Sequence, residues 1–117
     1  MFLQLKHQQL EVFKAAKSFT LECYKITKAF PPDERFNMIQ QVRRAGLSVV
    51  LNIAEGCSRK SEAERKRFFE ISRGSLIEVD AAFDIANDLG YFGNNNLTTL
   101  GELTNKTFGM LSKMLPR

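Results

Sequence analysis

Residues 40–60 read QQVRRAGLSVVLNIAEGCSRK, and this stretch decides the fold. It contains no proline, and it carries one apolar stripe and one small, polar stripe at the spacing of an α-helix. The apolar stripe consists of Val42, Gly46, Val49 and Ile53. The polar stripe consists of Gln41, Ala45, Ser48, Asn52 and Glu55. Because Leu47 and Leu51 make the far side apolar too, we expect a second subunit to cover this helix.

Three further segments show the same helical spacing of apolar residues. Pro31 ends the first of them, because proline disfavours a helical conformation in the residue before it. Gly56 is the expected end of the second helix, and Ser61 with Glu64 fits a capping box at the start of the third. The predicted helices span about 9–29, 32–55, 61–89 and 97–115. The sequence therefore predicts one all-α domain over residues 1–117, an antiparallel up-down-up-down four-helix bundle.

Composition and charge narrow the class of protein. A net charge of +4 and 44% hydrophobic residues are typical of a globular protein that tolerates a polyanionic ligand. No run of about eighteen apolar residues predicts a membrane span, and the start of the chain does not resemble a secretion signal. Cys23 and Cys57 are too few for a disulfide framework and indicate the reducing cytoplasm. Cys23 falls on an apolar stripe and is expected in the core.

Charge is polarised along the third predicted helix. Residues 59–73 contain six basic and three acidic residues, whereas residues 74–90 contain four acidic residues and no basic one. This order opposes the helix dipole. Three interpretations are open: phosphate binding, complementarity between neighbouring subunits, or a solvated face without function. No exposed aromatic residue is expected among these bases, so base stacking is not indicated.

Arg43 and Arg44 lie beside the expected buried part of the second helix. One interpretation is that they form ion pairs with acids such as Glu55 or Glu78, within or between subunits. The other is that they form a basic ring lining the central opening of an oligomer. Both interpretations suit arginine, because its planar guanidinium binds a carboxylate or a phosphate through two hydrogen bonds.

One group of polar residues resembles a catalytic site in composition. Its members are Gln41, Ser48, Asn52, Glu55, Ser75 and Glu78. A serine nucleophile needs a base, and the only histidine is His7, near the start of the chain. We therefore interpret the group as a structural polar network that fixes the register of the helices. The cysteines and the histidine are too scattered for zinc, so we expect no enzyme, cofactor, metal site or small-molecule substrate.

Several motifs together carry a family resemblance. They are Phe30-Pro31, Gln41-x-Arg43-Arg44-Ala45, Ser48, Asn52-Ile53-Ala54-Glu55-Gly56, Arg59 and Gly74-Ser75-x-x-Glu78. In them the chain resembles the bacterial four-helix bundle proteins that are encoded in intervening sequences of ribosomal RNA genes. It is also similar to the accessory variability protein of diversity-generating retroelements. The resemblance implies a ring-like homopentamer of four-helix protomers without catalytic activity, and nucleic-acid binding through a basic surface, as in the retroelement branch.

The leading hypothesis is a cytoplasmic, non-enzymatic homo-oligomer that binds RNA or DNA through basic patches. It would recognise backbone charge and shape more than sequence. The candidate contacts are Arg43, Arg44, Arg59, Lys60, Arg65, Lys66, Arg67 and Arg73. The alternative is a protein–protein scaffold that does not bind nucleic acid, in which the charge asymmetry serves self-assembly. A third hypothesis is a hydrolase that uses Ser75 and Glu78.

Overall fold

Four α-helices make up the structure, a computed structural model that describes residues 1–115. They span Glu11–Thr27 (α1), Met38–Ser58 (α2), Glu62–Asp88 (α3) and Thr98–Lys113 (α4). Short 3₁₀ helices, Lys6–Gln9 and Pro32–Glu34, precede α1 and α2. Residues 1–115 contain no strand, so the all-α prediction is confirmed. None of the helices in this part of the chain is both long and apolar enough to cross a membrane.

Helix α2 differs from its predicted bounds at both ends. It begins at Met38 instead of residue 32, because the preceding Asn37 has the non-helical angles φ −128° and ψ −99°. It continues through Gly56 to Ser58, so the prediction that Gly56 ends the helix is wrong. The glycine is needed for packing instead. A Cβ at this position would lie 2.7 Å from Cε1 of the buried Phe69 ring on α3.

Helix α3 begins where the sequence predicts it. The Ser61 Oγ accepts a hydrogen bond from the Glu64 N–H at 3.1 Å, which satisfies one of the amides that the first helical turn leaves free. The reciprocal bond of a capping box, from the Ser61 N–H to the Glu64 carboxylate, does not form within residues 1–115. The helix ends at Asp88, and Gly90 follows it with a left-handed φ of +74°, which favours glycine at this place.

The apolar stripe of α2 lies at the centre of the core. Val42, Val49 and Ile53 are fully buried and belong to one apolar cluster with residues of the other three helices. Cys23 on α1 is also fully buried, as the sequence predicts. Burial, and secondarily the neighbouring Glu22 carboxylate, raises the pKa of its thiol to about 12. This cysteine therefore contributes to packing as a small apolar side chain.

Hydrogen bonds from side chains to the backbone hold α2 between α1 and α3. Thr20 Oγ1 donates to the Gly46 carbonyl at 2.8 Å, and Ser72 Oγ donates to the Val49 carbonyl at 2.7 Å. Helix α4 packs against α1 and α3, so each helix has two neighbours. On the far side of α2, Leu51 remains 59% exposed. A single subunit therefore does not cover α2 completely.

The two longer connections meet at one end of the molecule. Tyr91 Oη donates a hydrogen bond to Glu34 Oε2 at 2.8 Å. This bond lowers the pKa of the Glu34 carboxyl and raises the pKa of the Tyr91 hydroxyl. Phe30, Phe83 and Phe92 pack edge to face behind it, with ring centroids 5.5 to 6.3 Å apart. The aromatic cluster fixes the connection from α1 to α2 against the connection from α3 to α4.

Candidate nucleic-acid interface

The eight basic residues predicted to contact nucleic acid lie in two separate places. Arg43 and Arg44 belong to the first half of α2, whereas the other six surround the α2–α3 turn and the first half of α3. Arg44 and Arg59 are fifteen positions apart. A helix rises about 1.5 Å per residue, so their Cα atoms are about 22 Å apart. The eight residues therefore do not form one continuous surface.

Three of these bases line one depression at the α2–α3 turn. We call Lys60, Arg65 and Lys66 the turn cluster; Glu62, Phe69 and Met114 line the same depression, whose volume is about 450 Å³. Lys66 Nζ lies 3.6 Å from Glu62 Oε1, both side chains being exposed, and such a pair contributes only about 0.3–0.5 kcal/mol. Within residues 1–115, Lys60 and Arg65 form no ion pair. Arg67 is exposed on the same helix. The turn cluster therefore keeps an excess of positive charge.

Arg59 is held in place by its neighbours. Its Nη2 lies 2.9 Å from Glu55 Oε2, and its guanidinium carbon is 4.9 Å from the centroid of the half-buried Phe68 ring. Its Nε is buried without a hydrogen-bond partner among the residues that the structure describes. One side of the Arg59 guanidinium faces Phe68 and one end faces Glu55. These contacts restrain the side chain, so Arg59 is less available to a ligand than Lys60 or Arg65.

Arg73 lies further along α3 and contacts α4. Its Nη1 donates to Ser112 Oγ at 3.3 Å, and its guanidinium carbon is 6.0 Å from the centroid of the Phe108 ring. Phe108 is 39% exposed. The expectation that no exposed aromatic residue lies among the bases is therefore wrong at this position, because α4 brings one from another part of the chain.

Arg43 does not form the ion pairs expected from the sequence within the subunit. Its Nε donates to Thr27 Oγ1 at 3.0 Å and its Nη2 to the Tyr24 carbonyl at 3.2 Å. The guanidinium carbon is 4.9 Å from the centroid of the Tyr24 ring. Of the two expected acids, Glu55 contacts Arg59 instead, and Glu78 accepts a hydrogen bond from a glutamine. Arg43 therefore fixes α2 against α1 and is only partly available to a ligand.

Arg44 is exposed, and the structure places two residues near it that are not among the candidate contacts predicted from the sequence. Arg35 and Phe36 line the same groove as Arg44. The predicted second helix, 32–55, includes Phe36, but α2 begins after it and the side chain is 80% exposed. The available signal was the proline pair before it, which already favours a turn. A phenylalanine just after such a turn need not continue the buried stripe.

The predicted polar network divides into three parts. Ser48 Oγ lies 2.7 Å from Ser75 Oγ, and Asn52 Nδ2 donates to Ser48 Oγ at 3.0 Å. Gln41 Nε2 donates to Glu78 Oε1 at 2.7 Å in a separate contact between α2 and α3. The remaining member, the Glu55 carboxylate, interacts with the residues that follow it at the end of α2. Two of the three parts therefore tie α2 to α3, and one does not.

Among the residues that the structure describes, no histidine or carboxylate forms a hydrogen bond with the Ser75 hydroxyl. This hydroxyl contacts the hydroxyl of Ser48, which in turn accepts from the Asn52 amide. Neither a hydroxyl nor an amide removes a proton at neutral pH, and nucleophilic serine requires a base that does. Within residues 1–115, no group of three or more histidine, cysteine, aspartate or glutamate side chains is placed to hold a metal ion.

Comparison with known proteins identifies the family. A family model described as 23S rRNA-intervening sequence protein matches residues 8–113. The match spans all four α-helices and every motif that carries the resemblance seen in the sequence, from Phe30 to Glu78. A comparison with curated proteins gives no match. Because the family model covers nearly the whole chain, the protein belongs to the 23S rRNA-intervening sequence protein family.

Proposed function

We propose that this protein is a non-enzymatic helical bundle that binds the phosphates of RNA or DNA through the turn cluster. The observation that carries the proposal is the convergence of Lys60, Arg65 and Lys66 on one depression, with Glu62 as the only acid among residues 1–115 that lines it. Lysine and arginine side chains in such a position neutralise phosphates and release their counterions.

Recognition at this site would depend on backbone charge and shape. The turn cluster consists of two exposed cations, Lys60 and Arg65, and the partly exposed Lys66. Phosphate contacts from such side chains position a protein on a nucleic acid without reading its bases. Binding should therefore weaken steeply with salt and differ little between sequences. The two free cysteines agree with a cytoplasmic location, where thiols stay reduced.

The proposal includes an up-down-up-down bundle that assembles into a ring-like homo-oligomer, with five subunits as the number that the family resemblance implies. Pairs of bonded residues support the antiparallel arrangement: along α2 from position 41 to 49, their partners on α3 descend from position 78 to 72. Between α1 and α2 the bonded pairs 20–46 and 27–43 run in the same opposed sense. Leu51 on α2 lines one groove with the exposed Met1, Phe2 and Leu3, and this contiguous apolar patch supports the presence of a second subunit.

The test is a charge reversal in the turn cluster and its neighbour. Arg65→Glu, Lys66→Glu and Arg67→Glu together should abolish retention of a labelled RNA or DNA at low salt, while light scattering shows an unchanged oligomer. The matched control is Lys14→Glu, Lys17→Glu and Lys25→Glu on α1, which makes the same change in net charge at exposed positions. The proposal fails if the wild-type protein retains neither nucleic acid, or if both triple variants bind equally well.

The alternative function is a protein–protein scaffold, and one observation favours it. Asp80 and Asp84 on the second half of α3 line a groove against α4, on the opposite half of α3 from the turn cluster. A basic half and an acidic half on one helix are complementary between two copies of the chain. In this case the triple charge reversal in α3 would dissociate the oligomer, and wild-type protein would not bind nucleic acid.

A further inference from the structure

A second positively charged groove lies between the end of α1 and the beginning of α2. Its volume is about 490 Å³. We call it the arginine–aromatic groove; the residues that matter here are Tyr24, Arg35, Phe36, Arg43 and Arg44. It has three arginines and no aspartate or glutamate among its lining residues. Glu34, the acid next to Arg35 in sequence, is engaged elsewhere, because it accepts hydrogen bonds from Tyr91 and Asn37.

The groove presents an aromatic ring beside its cations. Phe36 is 80% exposed, and the Arg35 guanidinium carbon lies 5.2 Å from the centroid of its ring. With its amide oriented to satisfy both neighbours, Gln40 donates to the Phe36 carbonyl at 3.3 Å and accepts from Arg44 Nη2 at 3.2 Å. The glutamine thus links the backbone below the ring to the guanidinium of Arg44. Ring and cations are held within one small area.

The other wall of the groove is rigid. The Tyr24 ring faces the Arg43 guanidinium at 4.9 Å, and Arg43 is anchored on α1 by its hydrogen bonds to Thr27 and to the Tyr24 carbonyl. The two bonds keep Arg43 close to the wall, whereas Arg35 and Arg44 are exposed. A ligand entering here meets the anchored Arg43 and the Tyr24 ring on one side, and an exposed ring with two exposed cations on the other.

We propose that the arginine–aromatic groove binds an unpaired nucleotide of single-stranded RNA or DNA, with its base stacked on Phe36 and its phosphate on Arg35 and Arg44. Bases stack on exposed aromatic rings, and arginine grips phosphate through two hydrogen bonds. In a duplex the base faces are already occupied, so this site favours unpaired bases. The inference rests on the proposed nucleic-acid binding and adds a base-contacting site at the opposite end of α2 from the turn cluster.

A second copy of the chain suits this groove less well than a nucleotide does. Three arginines without a lining acid would lose water on burial in a subunit interface and would need carboxylates from the other copy. A nucleotide matches both features of the groove, because its phosphate neutralises the arginines and its base covers the exposed ring. The experiments below therefore include a result that would identify the groove as a subunit contact.

A fluorescence experiment reports on the stacked base directly. The chain contains no tryptophan, so Phe36→Trp places the only indole at the proposed site. We expect a short single-stranded oligouridylate to quench its emission, and a blunt-ended duplex with the same number of phosphates, which has no unpaired nucleotide, to leave it nearly unchanged. Leu21→Trp is the control, because Leu21 is 62% exposed on α1 and does not line the groove. Equal quenching of both variants, or of Phe36→Trp by both ligands, overturns the proposal.

An affinity measurement separates this inference from the proposed function. Phe36→Ala removes an exposed ring and should leave the fold intact, yet weaken oligouridylate binding by about 5- to 150-fold, the range for loss of one stacked base. The salt dependence of the remaining binding should stay as in wild type, because the phosphate contacts of the turn cluster are unchanged. If wild type binds and Phe36→Ala binds equally well, only this inference fails. If Phe36→Ala dissociates the oligomer, the groove is a subunit contact and the inference also fails. Absence of wild-type binding at low salt overturns both proposals.

Discussion

Two fully buried threonine hydroxyls have opposite environments. Thr107 Oγ1 on α4 has no hydrogen-bond partner among residues 1–115, whereas Thr27 Oγ1 on α1 donates to the Cys23 carbonyl at 2.7 Å and accepts from Arg43 Nε at 3.0 Å. A buried polar group without a partner destabilises the folded state. A satisfied one contributes to stability, and here it also positions the Arg43 side chain.

Replacing each threonine by valine should therefore have effects of opposite sign. Thr107→Val removes an unsatisfied hydroxyl and should raise the free energy of unfolding by about 1 kcal/mol. Thr27→Val leaves Arg43 Nε without its acceptor and should lower the free energy of unfolding by about 1–2 kcal/mol. Urea denaturation followed by circular dichroism measures both. A loss of stability in Thr107→Val would mean that its hydroxyl has a partner in solution.

At the scale of the helix, the two glycines of α2 differ in the space that their surroundings leave for a side chain. A Cβ at Gly46 would lie 3.6 Å from Cβ and Sγ of Cys23, an ordinary van der Waals distance. A Cβ at Gly56 would lie 2.7 Å from the Phe69 ring and 3.1 Å from the Phe68 Cβ, so α3 would have to move. The crossing at Gly46 therefore leaves room for a methyl group, and the crossing at Gly56 does not.

This difference predicts opposite results for two alanine substitutions in one helix. Gly46→Ala should raise the free energy of unfolding by about 0.5–1 kcal/mol, because alanine is the better helix former. Gly56→Ala should lower it by about 1–3 kcal/mol through overpacking against α3. Each is compared with wild type by urea denaturation, and the other variant serves as its control. Equal effects of the two substitutions would contradict the packing described for α2 and α3.

At the scale of the whole molecule, the open side of α2 makes a prediction about assembly. Leu51 is 59% exposed in the single chain, and the proposed ring requires a second subunit at α2. Leu51→Glu would bury a charge in that contact, so the variant should sediment as a smaller species than wild type. Ile77→Glu on α3, where the side chain is 51% exposed, is the matched control and should not change the sedimentation. Wild-type protein that sediments as a monomer would contradict the proposed ring.

The sequence alone was sufficient to predict the four helices, the buried stripe of α2 and the core position of Cys23. Helices arise from hydrogen bonds within one segment, and their buried faces appear as a repeat of three and four residues. The start of α3 was predicted for the same reason, because the Ser61 cap bonds to an amide three residues away.

The tertiary structure decided which side chains meet. Arg43 bonds to α1 instead of to an acid, Phe36 is exposed beside Arg44, and Gly56 is a packing position instead of a helix end. Each of these depends on the rotation and register of one helix against another, or on the exact residue at which a helix begins. The periodicity of a single helix does not contain this information, because contacts between helices join residues that are far apart in the chain.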